Sequence, residues 1–259
     1  MDKTALKTWI IIVAISGSSL SLVFFKYLQH VRTQHVNAII SQTTAHYQKL
    51  FSAKISTLLN ELKFAQNFLQ SSKDIDLISF QQLSRPKKQA ASALIALEWI
   101  PRISEENLEQ HQSNTRLHGN SDYLVKELTL RGKFTPVRKR THYYPILYAE
   151  PNAFNKNILG YDIGSDPEQL STLKRAVTTT TGTSTATLTL VQNNVTQDGF
   201  IILMPVYKAN LSTDSTELRA RELRGFIAGA FSISELIKDS LGFIKNPSTI
   251  IRFIDITEP

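Results

Sequence analysis

The sequence predicts an α+β fold carried on a long N-terminal helix. Three observations lead there. Residues 9–25 are apolar and uncharged. Residues 30–72 contain neither proline nor glycine, and Phe51, Ile55, Leu58, Leu62, Ala65 and Leu69 recur at heptad spacing. Beyond residue 96, short β-branched and aromatic runs alternate irregularly with capped helices. That suits antiparallel strand pairs rather than a doubly wound sheet.

As a helix, residues 9–25 reach roughly 26 Å at about 1.5 Å per residue. Extension through Tyr27 and Leu28, with Lys26 snorkelling, brings the segment near the ~30 Å hydrocarbon thickness. Trp9 and Tyr27 sit at its two ends like an aromatic belt. The segment is either a retained transmembrane anchor or a cleaved signal peptide. The anchor is favoured because large and charged residues, not an A-x-A-like site, follow it. The flanking cations, Lys3 and Lys7 before and Lys26 and Arg32 after, balance, so the positive-inside rule does not choose an orientation. The heptad seam that follows either packs on its own domain or pairs with a second copy as a dimeric stalk.

A second helix is expected over residues 79–96 and a strand over 96–103, bounded by Pro101. Ser104 with Glu105 and Glu106 opens a helix running to about Arg116. Residues 123–130 read as a strand, and Gly132 and Pro136 mark a loop. Residues 143–148 form a strand, and Asp166 with Pro167 opens a helix to about Thr179. Strands follow at 185–192 and 199–208, joined by a turn over 193–198. A polar loop spans 210–217. A strand at 223–231, a helix at 232–241 capped by Ser232 or Ser234, and a last strand at 250–256 end the chain.

The apolar fraction of 42% argues against global disorder. A formal charge of +7 leaves acidic ligands, anionic lipid and nucleic acid open. No nucleic-acid-binding motif accompanies the charge, so no nucleic-acid partner is expected. The absence of cysteine excludes disulfides, thiolate metal sites and cysteine nucleophiles. The histidines lack metal-ligand spacing, and no metal or cofactor is expected. No nucleophile elbow, phosphate loop, zinc signature, kinase motif or cyclase motif appears, so no catalytic residue is expected in this segment.

Several stretches together carry a family resemblance. They are Ala96-Leu-Glu-Trp-Ile-Pro-Arg-Ile103, Tyr144-Pro-Ile-Leu-Tyr-Ala-Glu-Pro151, Leu159-Gly-Tyr-Asp162 with Ser165-Asp-Pro167, Thr189-Leu-Val-Gln192, Gly199-Phe-Ile-Ile-Leu-Met-Pro-Val-Tyr207, and Leu223-Arg-Gly-Phe-Ile-Ala-Gly-Ala-Phe231 with Ser234-Glu-Leu236. Their order resembles the CHASE domain, the extracytoplasmic sensory module of cytokinin receptors and of many bacterial histidine kinases and nucleotide cyclases. The resemblance implies an α+β protein with an N-terminal transmembrane helix and a long stalk helix, followed by tandem PAS-like domains, the second incomplete. The implied partition is a cytoplasmic tip and anchor (1–28), the stalk (29–75), a membrane-distal ligand-binding domain (76–215) and the start of a membrane-proximal domain (216–259). It places the bulk of the chain in the periplasm, on the bacterial inner membrane. It also implies a small-molecule ligand, a homodimer through the stalk, and an output domain, a histidine kinase or nucleotide cyclase, absent from this chain. On that reading the chain is a fragment or a prematurely ended product. The alternative is a structural, membrane-tethered dimerisation module without a ligand.

By the same resemblance Asp162 hydrogen-bonds a ligand. A buried carboxylate is costly unless paired, and a ligand donor would satisfy it. Equally, Asp162 could bond the backbone of its own loop, residues 160–165. Tyr148 and Met204 fall on pocket-lining positions, with ordinary core packing as the competing role. Ser184 and Asn193 match further polar contacts. The basic cluster of Arg131, Lys133, Arg138, Lys139 and Arg140 is either a solvated loop or a surface for an anionic ligand or lipid headgroups.

Overall fold

The computed structural model describes residues 3–84, 93–129, 132–151, 155–192, 195–208 and 215–242. The expected strand at 250–256 lies outside the described residues. Helix α1 (Lys3–Ser71) is continuous, as a stretch without proline, and with Gly17 as its one glycine, allows. Residues 1–50 and 51–259 form two compact units. In the first, Leu20, Val23, Phe24 and Phe25 are exposed. Among the described residues no helix is long and apolar enough to cross a membrane. The side chains of Ile10, Ile11 and Val13, on which the expected anchor also rests, lie outside the described residues.

In the second unit, helix α2 (Leu77–Ser84) is capped by Asp76, which accepts the Ser79 N–H at 2.7 Å. Residues 94–96, expected in that helix, instead begin β1 (Leu94–Pro101). Then come β2 (Ile103–Ser104), helix α3 (Leu108–Leu117), β3 (Lys126–Leu128), β4 (Phe134–Pro136), β5 (His142–Tyr143) and β6 (Tyr148–Glu150). The single strand expected at 143–148 is interrupted. Pro145 has no N–H to give a ladder, so the chain leaves β5 and rejoins a sheet at β6. Helix α4 (Pro167–Thr179) starts as expected, with Asp166 accepting the N–H groups of Glu168 and Gln169. The chain ends with β7 (Thr183–Ser184), β8 (Leu188–Gln192), β9 (Val195–Tyr207), helix α5 (Thr216–Glu222), β10 (Leu223–Ser232) and helix α6 (Ile233–Leu241), capped by Ser232. The β8–β9 ladder reaches Gln192↔Val195, so residues 195–198 are strand rather than turn.

One antiparallel sheet orders the unit as β6-β1-β10-β9-β7, with β8 also on β9. The boundary expected between residues 215 and 216 does not match this sheet. β10 lies between β1 and β9, paired Trp99↔Ile227 and Ile227↔Met204, so it is a central strand of the same layer as residues 94–207.

The period-2 alternation of the strands sends side chains to two cores. On one face Leu97, Trp99, Ile202, Met204, Val206 and Ile227 meet Leu58, Leu62, Ala65 and Leu69 of α1 and Phe80 of α2. On the other, Ile100, Leu203, Phe226 and Ala228 meet Leu173, Ala176 and Val177 of α4. The heptad seam therefore packs on its own sheet. Phe51 and Ile55 lie half-buried against the same cluster. Gly229 permits this approach: a Cβ there would stand 2.8 Å from the Phe231 ring and 3.0 Å from Leu62 Cδ2.

Each buried leucine of the seam contributes about 1.5–3 kcal/mol by burial. Leu62→Ala is expected to lower the unfolding free energy by about 2–5 kcal/mol, read as a lower denaturation midpoint at unchanged m-value.

Candidate functional site

The loop of residues 159–165 is set by Gly160, at φ +81°. A Cβ there would collide with the Leu124 carbonyl, so only glycine fits. The Gly160 N–H donates to Ile146 O at 2.8 Å, and its carbonyl accepts from Lys126 N at 2.9 Å. The loop then bridges β3 to the ribbon of residues 144–147 through the paired positions Lys126↔Tyr161 and Pro145↔Asp162.

Asp162 follows, fully buried. One carboxylate oxygen accepts the N–H of Tyr144 at 2.8 Å and of Gly164 at 3.1 Å. The other accepts from Arg140 at 2.9 Å. Burial pushes the carboxyl up, and the Tyr144 N–H and the Arg140 charge pull against it. Arg140 also pairs with Glu127, which Arg138 joins. Lys139 pairs with Glu105. The basic cluster is thus partly an internal charge network: Arg138, Lys139 and Arg140 all have carboxylate partners. Arg131 lies outside the described residues.

Asp162, Tyr148 and Met204 do not converge. Asp162 sits on the α4 side of the sheet, held by its own chain. Tyr148, on β6, packs against the stalk-side core, its ring 5.7 Å from Phe80. Met204 is buried in that same stalk-side core. Ser184 turns its hydroxyl to the Thr185 carbonyl at 2.8 Å, and its own carbonyl accepts from Arg175. Asn193 lies outside the described residues. Adjacent strand residues face opposite ways, which separates Met204 from the side holding Asp162.

Open space lies beside the ribbon. A cavity of about 280 Å³ opens between α4, α5 and the start of β10. Helix α4 contributes Leu173, Lys174, Val177 and Thr178; α5 contributes Thr216 and Ala220; β10 contributes Leu223 and Phe226. Tyr144 and Arg102 close it. Tyr144 stands edge-on to Phe226, with ring centroids 5.9 Å apart. Arg219 clasps α5 to the C-terminal end of α4, donating to the carbonyls of Val177 at 2.9 Å and Thr178 at 3.1 Å. Asp162 belongs to this site indirectly, because it fixes the backbone of Tyr144.

Arg102 is half-buried at the cavity. It donates to the Ala220 carbonyl at 2.9 Å, to His142 Nε2 at 2.8 Å, and to the Tyr144 hydroxyl. A guanidinium only donates, so His142 Nε2 accepts and the imidazole is neutral. Burial and the Arg102 charge both lower the His142 pKa. Burial raises that of Tyr144. Sequence reading missed Arg102, although it sits in the quoted Trp-Ile-Pro-Arg stretch, because its cavity partners come from residues 142–144 and 173–226.

Glu98 was also missed. It is buried in the middle of β1, and its Oε2 has no hydrogen-bond partner among the described residues. Burial pushes its carboxyl up to about 8.

A profile of the CHASE domain matches residues 73–259. The chain belongs to the CHASE-domain family and is a sensory region of a signalling receptor. It is similar to hybrid signal transduction histidine kinase A of Dictyostelium discoideum, 25% identical over 272 positions covering 96% of this chain. The match spans only 12% of that kinase's length. It is also similar to the periplasmic sensory domain of the Campylobacter jejuni chemoreceptor Tlp1, at a TM-score of 0.40 and 9% identity, covering 76% of this chain and 59% of that one.

Asp162→Ala is expected to cost about 2–4 kcal/mol in chemical denaturation, because it leaves the Tyr144 and Gly164 N–H groups without their acceptor and Arg140 with Glu127 alone. For Glu98 the sign is opposite to that of a salt-bridged acid. Its folded-state pKa lies above its ordinary value of 4.5. Proton binding therefore supports the fold fully below about 4.5, and that support fades as pH rises and is gone above about 8. Glu98→Gln should match wild type in melting temperature at pH 4.5 and exceed it increasingly up to pH 8.

Proposed function

We propose that this chain is the extracytoplasmic sensory region of a membrane receptor, and that it binds a small molecule in the cavity between α4, α5 and β10. The observation that carries the reading is the construction of β10. Phe226 lines the cavity while its neighbour Ile227 packs into the stalk cluster on the opposite face. Three residues earlier the same juxtaposition recurs. Leu223 lines the cavity, and Arg224 donates to the carbonyls of Leu69 at 3.0 Å, Ser72 at 2.6 Å and Lys73 at 3.0 Å, capping the end of α1. The Arg102 N–H in turn donates to the Arg224 carbonyl at 2.9 Å. A ligand that moves Arg102 or β10 therefore displaces the stalk.

Residues 9–28 serve as the anchor in the lipid bilayer, and α1 carries the displacement inward. A homodimer through α1 would use its exposed side chains Val36, Ile39 and Ile40, since the seam from Leu58 to Leu69 is taken by the sheet. The output domain is a histidine kinase or a cyclase. Useful coupling needs a ligand that distinguishes two arrangements of the stalk by about 1–3 kcal/mol. One observation favours a structural module without ligand: Asp162 is satisfied by its own chain.

Thermal shift of the full chain in detergent, screened against amines, amino acids, purines and organic anions, separates the two. At a hundredfold excess over Kd a ligand should add about 2.7 kcal/mol to stability. Ala220→Phe, which fills the cavity mouth, should abolish the shift. Arg224→Ala should keep the shift but remove its effect on amide exchange over residues 66–71. A screen in which no compound stabilises the chain would leave the structural module.

A further inference from the structure

We infer that the cavity takes a small organic carboxylate with an apolar body. This rests on the ligand-binding reading above and narrows it to a chemical class. The walls divide sharply. Leu173, Val177, Leu223 and Phe226 supply an apolar floor, and the charged groups at its edge, Arg102 and Lys174, are both cations. Among the described residues no acidic side chain lines the cavity.

The three acceptors on Arg102 are a backbone carbonyl, a neutral imidazole and a neutral phenol. Dipoles, not a counter-charge, therefore surround this half-buried guanidinium, whereas Arg138, Lys139 and Arg140 a short way along the chain each pair with a carboxylate. Arg102 has five N–H donors, so capacity is left after these contacts. A carboxylate matches that planar fork, and its charge is what the site lacks. Lys174, exposed at the rim, adds a second attraction from the flexible end of a long side chain. A cavity of about 280 Å³ limits the body of the ligand to a branched aliphatic chain or one aromatic ring. Inorganic phosphate would satisfy the charge and leave the apolar floor in contact with water.

Isothermal titration of the full chain in detergent with 4-methylpentanoate and phenylacetate, beside the corresponding amides and inorganic phosphate, decides the matter. Saturable binding of at least one carboxylate, at least tenfold tighter than its amide and than phosphate, is the expected result. Lys174→Glu should weaken carboxylate binding about tenfold and leave the melting temperature of the unliganded chain unchanged. Arg102→Gln should abolish binding, and because Arg102 also bonds Ala220, the Lys174 variant carries the test if that protein fails to fold. Amides that bind as tightly as the acids, with Ala220→Phe blocking both, would overturn the carboxylate class and leave the sensory reading standing. Phosphate binding as tightly as the acids would overturn the apolar-body requirement. If neither acids, amides nor phosphate bind, and Ala220→Phe behaves as wild type in the broader ligand screen, both the class and the ligand-binding reading fail.

Discussion

Leu58, Leu62, Ala65 and Leu69 leave water by packing against the face of β9 and β10, and this contact constrains everything built on the sheet. It makes β10 a strand buried on both faces, with Phe226, Ala228 and Ala230 on one side and Ile227 and Phe231 on the other. A strand in that position cannot shift toward one core without disturbing the other, because interiors packed to crystal-like density transmit displacement rather than absorb it. Gly229 lets the stalk come close, and Arg224 and Gln66 tie it to the sheet by hydrogen bonds to the carbonyls of α1 and Pro205.

Charge is used in two opposite ways on the far side of the sheet. Around residues 126–162, carboxylates and guanidinium groups neutralise one another. Asp162, Glu127 and Arg140 interlock, and the N–H of Tyr144 completes the set. The network holds the ribbon of residues 144–147 in place and gives Asp162 partners from its own chain. A few residues away, Arg102 is held by neutral groups alone. The same residue type is compensated by carboxylates in one place and held by dipoles in the other. Glu98 is a third case, a carboxyl whose burial favours its uncharged form.

Much of the fold was legible because its signals are local. The Asp166-Pro167 start of α4, the Ser232 cap of α6 and the long uninterrupted α1 follow from capping chemistry and from proline and glycine usage. Residues 143–148 read as one strand because aromatic and branched side chains dominate the run, yet Pro145 decides the outcome by removing a ladder donor. The seam of α1 is apolar in the sequence, which left two partners open, its own domain or a second copy. A heptad repeat specifies a face to be covered and says nothing about what covers it. The domain boundary expected near residue 215 rests on equally local information. A polar loop suggests a division, whereas β10 crosses back into the centre of the earlier sheet.

By itself the sequence determined the class: an α+β sensory region of the CHASE family, with most of its helices, most of its strands and the turn before Asp162. It did so because capping, alternation and glycine conformation depend on near neighbours along the chain. Only the tertiary structure decided where space was left and which charges were unpaired. Asp162, Tyr148 and Met204 are close in family pattern but end on different sides of the sheet or inside it. Arg102, Tyr144, Lys174 and Phe226, distant in sequence, close around one cavity. Side-chain direction on a strand reverses at every residue, and the long-range strand pairing fixes which residues share a face.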